Sequence, residues 1–304
     1  MTNLNKKSNL KYDPISRRNL IEKVFTLLSG VFAVVAILPL VLVLTYVIYK
    51  GGSQISWDAL ILEPEPPGDD LLSAGGIGPA IVGTLIISGI ASLISIPIGV
   101  GGGIYLAEYS KGGSFSKFVR FGTNVLAGIP SIIAGVFIYA VIVSTKILFG
   151  SMFSGIAGGM ALSILMIPTV IKTTDEGLKL VSDDLRRGAL GVGASMFITV
   201  IGVTLPAAFR SIATGVVLGL ARAAGETAPL IFTALFSRYY LTGFGDLFYE
   251  MASLSVLIYN FALEPYEAQN ELAWVASFVL IIIILAMNIF SRIISNIALN
   301  KSKL

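Results

Sequence analysis

Residues 24–49 run for 26 positions without one charged side chain, and no other feature restricts the fold so tightly. About 20 consecutive apolar residues in helical form cross the hydrocarbon of a bilayer, so the run predicts a transmembrane helix, with Pro39 as a kink inside it. It is also longer than the roughly 7–15-residue apolar stretch of a secretory signal, and is read as retained. Comparable apolar stretches cover about residues 81–106, 125–147, 153–171, 207–236 and 274–290. The chain therefore reads as an all-α membrane protein with six transmembrane helices. Composition agrees: 13% of residues are charged, against about 25% in a soluble domain. Glycine and proline are plentiful, as in helices that pack closely within a membrane.

The basic residues set the orientation. A net charge of +3 could suggest nucleic acid, but Lys and Arg gather at the ends of the apolar runs, where positive-inside topology explains them. With the amino terminus inside, seventeen of the 21 fall in the cytoplasm, Lys50, Lys146 and Arg238 lie outside, and Arg222 lies in the membrane. Both termini are thus expected in the cytoplasm. Residues 1–23 read as a tail ahead of a membrane domain of residues 24–304, whose core is about 75–295 and whose main inner loop is 172–206. The acidic loop with Glu63, Glu65, Asp69 and Asp70 reads as external. Residues 247–263 read as a short interfacial or re-entrant helix.

Several chemistries are excluded. The chain has no Cys and no His, which removes disulfides, thiolate and imidazole catalysis and the usual zinc sites. No GxxxxGK[ST] loop is present to cradle a nucleotide. No catalytic residue, metal ligand or cofactor of its own is expected, and any ATP must be bound by another polypeptide.

Two stretches carry the candidate chemistry. Ser182 caps a helix whose first turn holds Asp183 and Asp184, placed for the positive end of the dipole. Leu185, Ala189, Val192 and Met196 follow at helical spacing and give one apolar edge. Gly191 and Gly193 weaken that helix, which points to a turn or a close partner contact there. The pattern fits a docking helix lying at the membrane surface, or an ordinary amphipathic connector. Further on, Arg222 and Glu226 stand four apart in an apolar segment, on one face of an expected helix. Charge there costs about 3 kcal/mol or more, so the pair is either a structural ion pair or a functional one. Gly215, Gly219 and Ala223, also four apart, would pack that helix tightly against a neighbour and keep the pair dry. Glu108 reads as a solvated end cap, and PSIIAG at Pro130 as a kink or a broken helix.

These stretches resemble a known family. RGALGVG followed by Leu205 and Pro206 resembles the EAA loop of ABC importer permeases, the segment that contacts the ATPase. Gly193, Leu205 and Pro206 match that pattern and Ala189 matches its third letter, whereas Arg187 and Gly188 stand in place of the first two. With GGIGPAIVGTL, GIYLAEY and ARAAGETAPLIFTAL in the same order, residues 75–235 resemble permeases of phosphate-specific ABC importers, the PstA type.

The resemblance implies a MetI-like permease architecture in the bacterial cytoplasmic membrane. It implies four kinds of partner: a homologous permease of the PstC type, a cytoplasmic ATPase dimer of the PstB type that holds ATP and magnesium, an external phosphate-binding protein of the PstS type, and membrane lipid. Inorganic phosphate is the implied substrate, on a path that includes Arg222, Glu226 and Thr227. Coupling to the ATPase is assigned to Asp184, Arg187, Gly188, Ala189, Gly193, Leu205 and Pro206. A permease for another oxyanion or small solute is the nearer alternative; a self-sufficient secondary transporter, with only Glu226 as an intramembrane carboxylate, is the more distant.

Overall fold

The computed structural model describes residues 17–66, 74–110, 112–146 and 153–301. Most of the tail expected at residues 1–23 therefore lies outside the described residues. The chain divides into two units, residues 1–49 and 50–304. The first is the greater part of helix α1 (Arg17–Ser53), with Pro39 inside it. From Val24 on its side chains are almost all apolar and most are exposed, as Leu27 at 71% and Leu40 at 67% show, although Val47 is buried, and this suits a helix whose surroundings are lipid or another protein.

The second unit opens with a short helix α2 (Trp57–Ile61), capped by the Ser56 hydroxyl. Helix α3 (Gly78–Ile104) follows and ends in a π-helical turn, Tyr105–Tyr109. Next come α4 (Ser114–Gly128) and α5 (Ser131–Ile138), bent by 102° from one another. Pro130 explains the bend. Proline has no N–H for the turn before it and drives the preceding Ile129 into extended backbone, at φ −72° and ψ 133°. The expected third span, residues 125–147, is thus two helical pieces, and its last residue lies outside the described residues. A π-helical turn, Tyr139–Val143, continues α5.

Helix α6 (Gly155–Lys179) is the most buried of the long helices. Its partner along its length is α3, and small residues let the two backbones approach: a Cβ on Gly99 would lie 2.5 Å from Val170 Cβ, and one on Gly103 2.4 Å from Thr174 Cβ. Helix α7 (Asp183–Gly191) is short and carries no buried residue. Then α8 (Met196–Thr199), a π-helical turn (Val200–Thr204) and α9 (Leu205–Ala224) form one continuous helical segment of 29 residues.

That segment corrects the sequence reading at both ends. The fifth span begins at Met196 rather than near residue 207, and it stops at Ala224 rather than reaching 236. Lys172 and Arg210, expected in the inner loop, lie inside α6 and α9. After a break, α10 (Ala228–Thr233), a 3-10 turn at Phe244–Phe248 and α11 (Leu254–Leu263) lead to α12 (Glu267–Lys301). Helix α11 is the short helix expected within 247–263, and its Leu254, Leu257 and Phe261 are buried in one cluster with Ala276 and Val279 of α12, Ala80 of α3 and Ile77 just before α3. Among the described residues, five helices are long and apolar enough to cross a membrane, or six when α4 and α5 count as one bent span.

Candidate functional site

The break after α9 is built by GETAP. Pro229 lacks the N–H that would bond Gly225 O in a continuous helix, so α9 closes at Gly225, whose N–H reaches Arg222 O, while the Glu226 N–H reaches Ala223 O. Arg222 is therefore in the last turn of α9, and Glu226 and Thr227 are in the break itself. Arg222 Nε donates to Glu226 Oε1 at 3.4 Å, so the expected pair exists, but across a helix end rather than along a helix face. Nor is it dry: the Arg222 side chain is 59% exposed and Glu226 17%.

The height of this break is given by what surrounds it. Ala223 and Leu230, on either side, share an apolar cluster with Leu165 and Met166 from the middle of α6 and with Ala134 of α5. Gly135 of α5 lies on the backbone of Pro229, where a Cβ would come within 2.5 Å of Pro229 Cα. The interruptions at Pro130 and at Gly225 therefore converge beside the midpoint of α6. Helix ends leave backbone N–H and C=O groups without intrahelical partners. At membrane depth such ends are tolerated where they are buried in protein or line water, and paired broken helices mark transporter binding sites. Ser255 of α11 pins the break from one side by donating to Glu226 O at 2.9 Å.

Helix α9 shows one face to this chain and another outward. Ala208, Ile212, Gly215, Gly219 and Ala223 are buried, and Gly215 sits against Thr173 of α6. The opposite stripe, Arg210, Thr214, Leu218 and Arg222, is exposed at four-residue spacing. Near its start lies a groove of about 760 Å³ whose lining includes Thr173, Glu176, Arg210, Ser211 and Thr214. Arg210 makes no ion pair among the described residues. Arg210 lies twelve residues, about 18 Å, from Arg222, which puts it near the membrane surface when the break is near the bilayer centre. Arg222 is the costly charge if its face is turned to lipid, and a polar neighbour or water at that height removes the cost.

At the other end of the long helices lies α7. Ser182 caps it, accepting from Asp184 N–H at 3.2 Å, as the sequence indicated. It ends in a Schellman motif: Gly193 has φ +85°, its N–H bonds Leu190 O, and the Ala194 N–H bonds Ala189 O. Met196, expected on this helix, belongs to α8. Arg187 and Gly188 are exposed and Ala189 is half-buried, while Leu185, Leu190 and Val192 present apolar surface outward. Leu205 and Pro206 start α9.

Glu108 was expected as a solvated end cap, and Arg186 carried no expected role. The Glu108 side chain is 1% exposed, not a solvated cap. It receives Arg186 Nε at 3.2 and 3.1 Å and Nη2 at 2.9 Å. The bonds from Glu108 hold the guanidinium protonated above its ordinary range, against the opposing effect of burial. Nearby, Arg120 of α4 pairs with Asp175 of α6 and donates to Leu106 O at 3.1 Å, and Lys179 reaches Asp175 at 2.8 Å. The spacing of 78 residues between Glu108 and Arg186 left no local signal for the pair.

Comparison with known proteins agrees with this geometry. The family described as binding-protein-dependent transport system inner membrane component matches residues 99–298. The phosphate transport system permease protein PstA of Pasteurella multocida is 37% identical over 276 residues, covering 91% of this chain and 95% of that protein. That of Haemophilus influenzae is 38% identical over 266 residues, covering 88% and 90%. PstA 1 of Mycobacterium tuberculosis is 33% identical over 292 residues, covering 95% and 92%.

Among solved structures, an inward-facing conformation of the MetNI methionine ABC transporter superposes with a TM-score of 0.59 at 17% identity, covering 72% of this chain and 94% of the other. A bacterial ABC transporter involved in import of the acidic polysaccharide alginate gives 0.60 at 15%, covering 92% and 96%; both likenesses concern the fold. The chain is a multi-pass inner-membrane protein of the binding-protein-dependent transport system inner membrane component family, and within it belongs with the PstA permeases.

Proposed function

We propose that this chain forms half of the translocation path of an ATP-driven phosphate importer, with the other half supplied by a homologous permease. The observation that carries the reading is the exposed α9 stripe that ends in Arg222 and Glu226 at a helix break beside the middle of α6. A guanidinium binds phosphate oxygens through two parallel N–H bonds. Glu226 adds discrimination: a carboxylate accepts the proton of a hydrogen phosphate, but repels fully ionised sulfate, which has no proton to give. This favours hydrogen phosphate over fully ionised oxyanions such as sulfate.

The α7 end would face the cytoplasm, as the distribution of Lys and Arg indicates. There the exposed apolar residues of α7 would meet a separate ATPase dimer that holds ATP and magnesium. An external phosphate-binding protein would deliver substrate to the loops at the opposite end. ATP binding would displace α7, and the helix blocks would alternate access to Arg222.

The test is uptake by proteoliposomes holding both permeases and the ATPase, with the binding protein outside. Radiolabelled phosphate should enter only with ATP inside, and a hundredfold excess of unlabelled sulfate should leave uptake unchanged. ATP-dependent uptake suppressed by sulfate would favour the wider oxyanion reading; uptake without ATP would favour a secondary transporter.

A further inference from the structure

Helix α7 is the element a nucleotide-driven partner would move, yet none of its residues is buried. No fully buried apolar side chain therefore anchors it to the membrane helices, and Ala189 is only half-buried. Its polar attachment is Arg186, whose five N–H groups are all engaged. Nε and one Nη2 donor go to Glu108; the other Nη2 donor goes to Leu178 O at 2.6 Å; Nη1 serves Val181 O at 2.7 Å and Asp183 Oδ1 at 3.0 Å. Two of these acceptors are carbonyls at the end of α6 and just beyond it, and one is the carboxylate on the π-helical turn that ends α3.

Helices α3 and α6 are packed backbone to backbone at Gly99 and Gly103, and the middle of α6 carries Leu165 and Met166 beside the broken α9. We propose that the pairing of Arg186 with the buried Glu108 carboxylate is the joint that delivers displacement of α7 to the α3–α6 block, so that Arg186 and Glu108 are positioning residues for transport. The inference rests on the importer reading above. A fork that must satisfy a carboxylate and two carbonyls at once has one arrangement, whereas a bundle of exposed apolar contacts can slide. The pair therefore suits transmission of a push without loss.

Glu108→Gln separates the two attachments. It keeps the shape of the side chain and leaves Arg186 on Leu178 O and Val181 O, but removes the ionic tie to α3. The readout needs no phosphate. Since the chain has no Cys, a single Thr214→Cys reports on the exposed α9 stripe. In nanodiscs holding the whole complex, with partner subunits free of accessible Cys, its labelling by a polar maleimide is measured with and without nucleotide trapped by vanadate.

In the otherwise unaltered background, trapping should change the labelling rate by roughly 5-fold or more, as for typical coupling between sites. With Glu108→Gln added, the rate should be the same in both states, and the ATPase should remain bound. Arg186→Lys, a point charge in place of a fork, should give a reduced response. Asp183→Asn, which alters only the 77% exposed partner, should leave the response intact. A full response in Glu108→Gln overturns the joint, as does loss of the ATPase from that complex, since the pair would then be scaffold. Absence of any response in the unaltered background contradicts the importer reading itself and takes the joint with it.

Discussion

Gly215 of α9 has no room for a side chain: a Cβ there would lie 2.1 Å from Thr173 Oγ1 and 2.2 Å from Thr173 Cβ. Forcing α9 away from α6 should cost about 1–3 kcal/mol, as overpacking does. Gly215→Ala should accordingly lower the midpoint of thermal unfolding of the detergent-purified chain, whereas Gly101→Ala, with no atom within 4 Å, should not; equal midpoints would argue against this contact. At the opposite end, the Asp246 carboxylate accepts from Thr242 N–H, from the Thr242 hydroxyl and from Gly243 N–H, and these bonds hold its pKa below the ordinary aspartate value. A depressed folded pKa means stability that is present above the unfolded value and is lost as pH falls through the folded one. Amide exchange at Thr242 and Gly243 should thus stay protected from neutral pH down to about 3.9 and open only below it. Arg222 and Glu226 were legible from sequence because isolated charges in an apolar run stand out. Glu108 was not, because a carboxylate buried by a partner 78 residues away looks, locally, like any acidic residue at a helix end.

Among elements, α7 offers a contrast within one short helix. Gly188 sits mid-helix with open space around it, and Gly193 sits at φ +85°. Alanine should stabilise the helix at the first by about 0.5–1 kcal/mol and weaken it at the second, where the left-handed backbone disfavours a Cβ. Hydrogen exchange across α7 in the two variants measures this, and protection raised by both would contradict the Schellman end. The sequence showed that cap and that turn because Ser182 and Gly193 act locally. It showed less of where α9 starts. Pro206 reads as a boundary, but the Leu205 N–H reaches back to Val200 O in a widened π turn, and the helix carries on through the proline. The break at the other end was missed: residues 207–236 read as one span although Pro229 interrupts a helix locally, and the meeting of this break with the one at Pro130 depends on how α5 and α9 pack, which no local pattern encodes.

For the whole molecule, five of the six expected spans and their order followed from hydropathy because bilayer thickness fixes helix length, and the third is the bent α4–α5 pair, which makes six only if it counts as one span. Sidedness rests on the charge bias and is open to direct test. Single Cys residues at Ser114 and Ser182 should be shielded from an impermeant thiol reagent in intact cells, and Cys at Ser53 and Phe244 should react. Ser253, which lies in an external segment by sequence, is 1% exposed and caps α11, so a Cys there should stay unlabelled on either topology. Labelling at Ser182 from outside would reverse the assignment of α7 to the cytoplasm.

The central claim is that phosphate passes Arg222 and Glu226, and it is tested most directly by the variant that removes both charges. Removing one partner leaves the other charge uncompensated; removing both spares that cost, so Arg222→Gln with Glu226→Gln should still insert, assemble and hydrolyse ATP. Radiolabelled phosphate uptake by that double variant, normalised to inserted protein, should fall to the ATP-free background, because neutral amides do not replace a guanidinium fork at a dianion. Uptake at the unaltered rate would show that the pair only packs the break and that the phosphate path lies elsewhere.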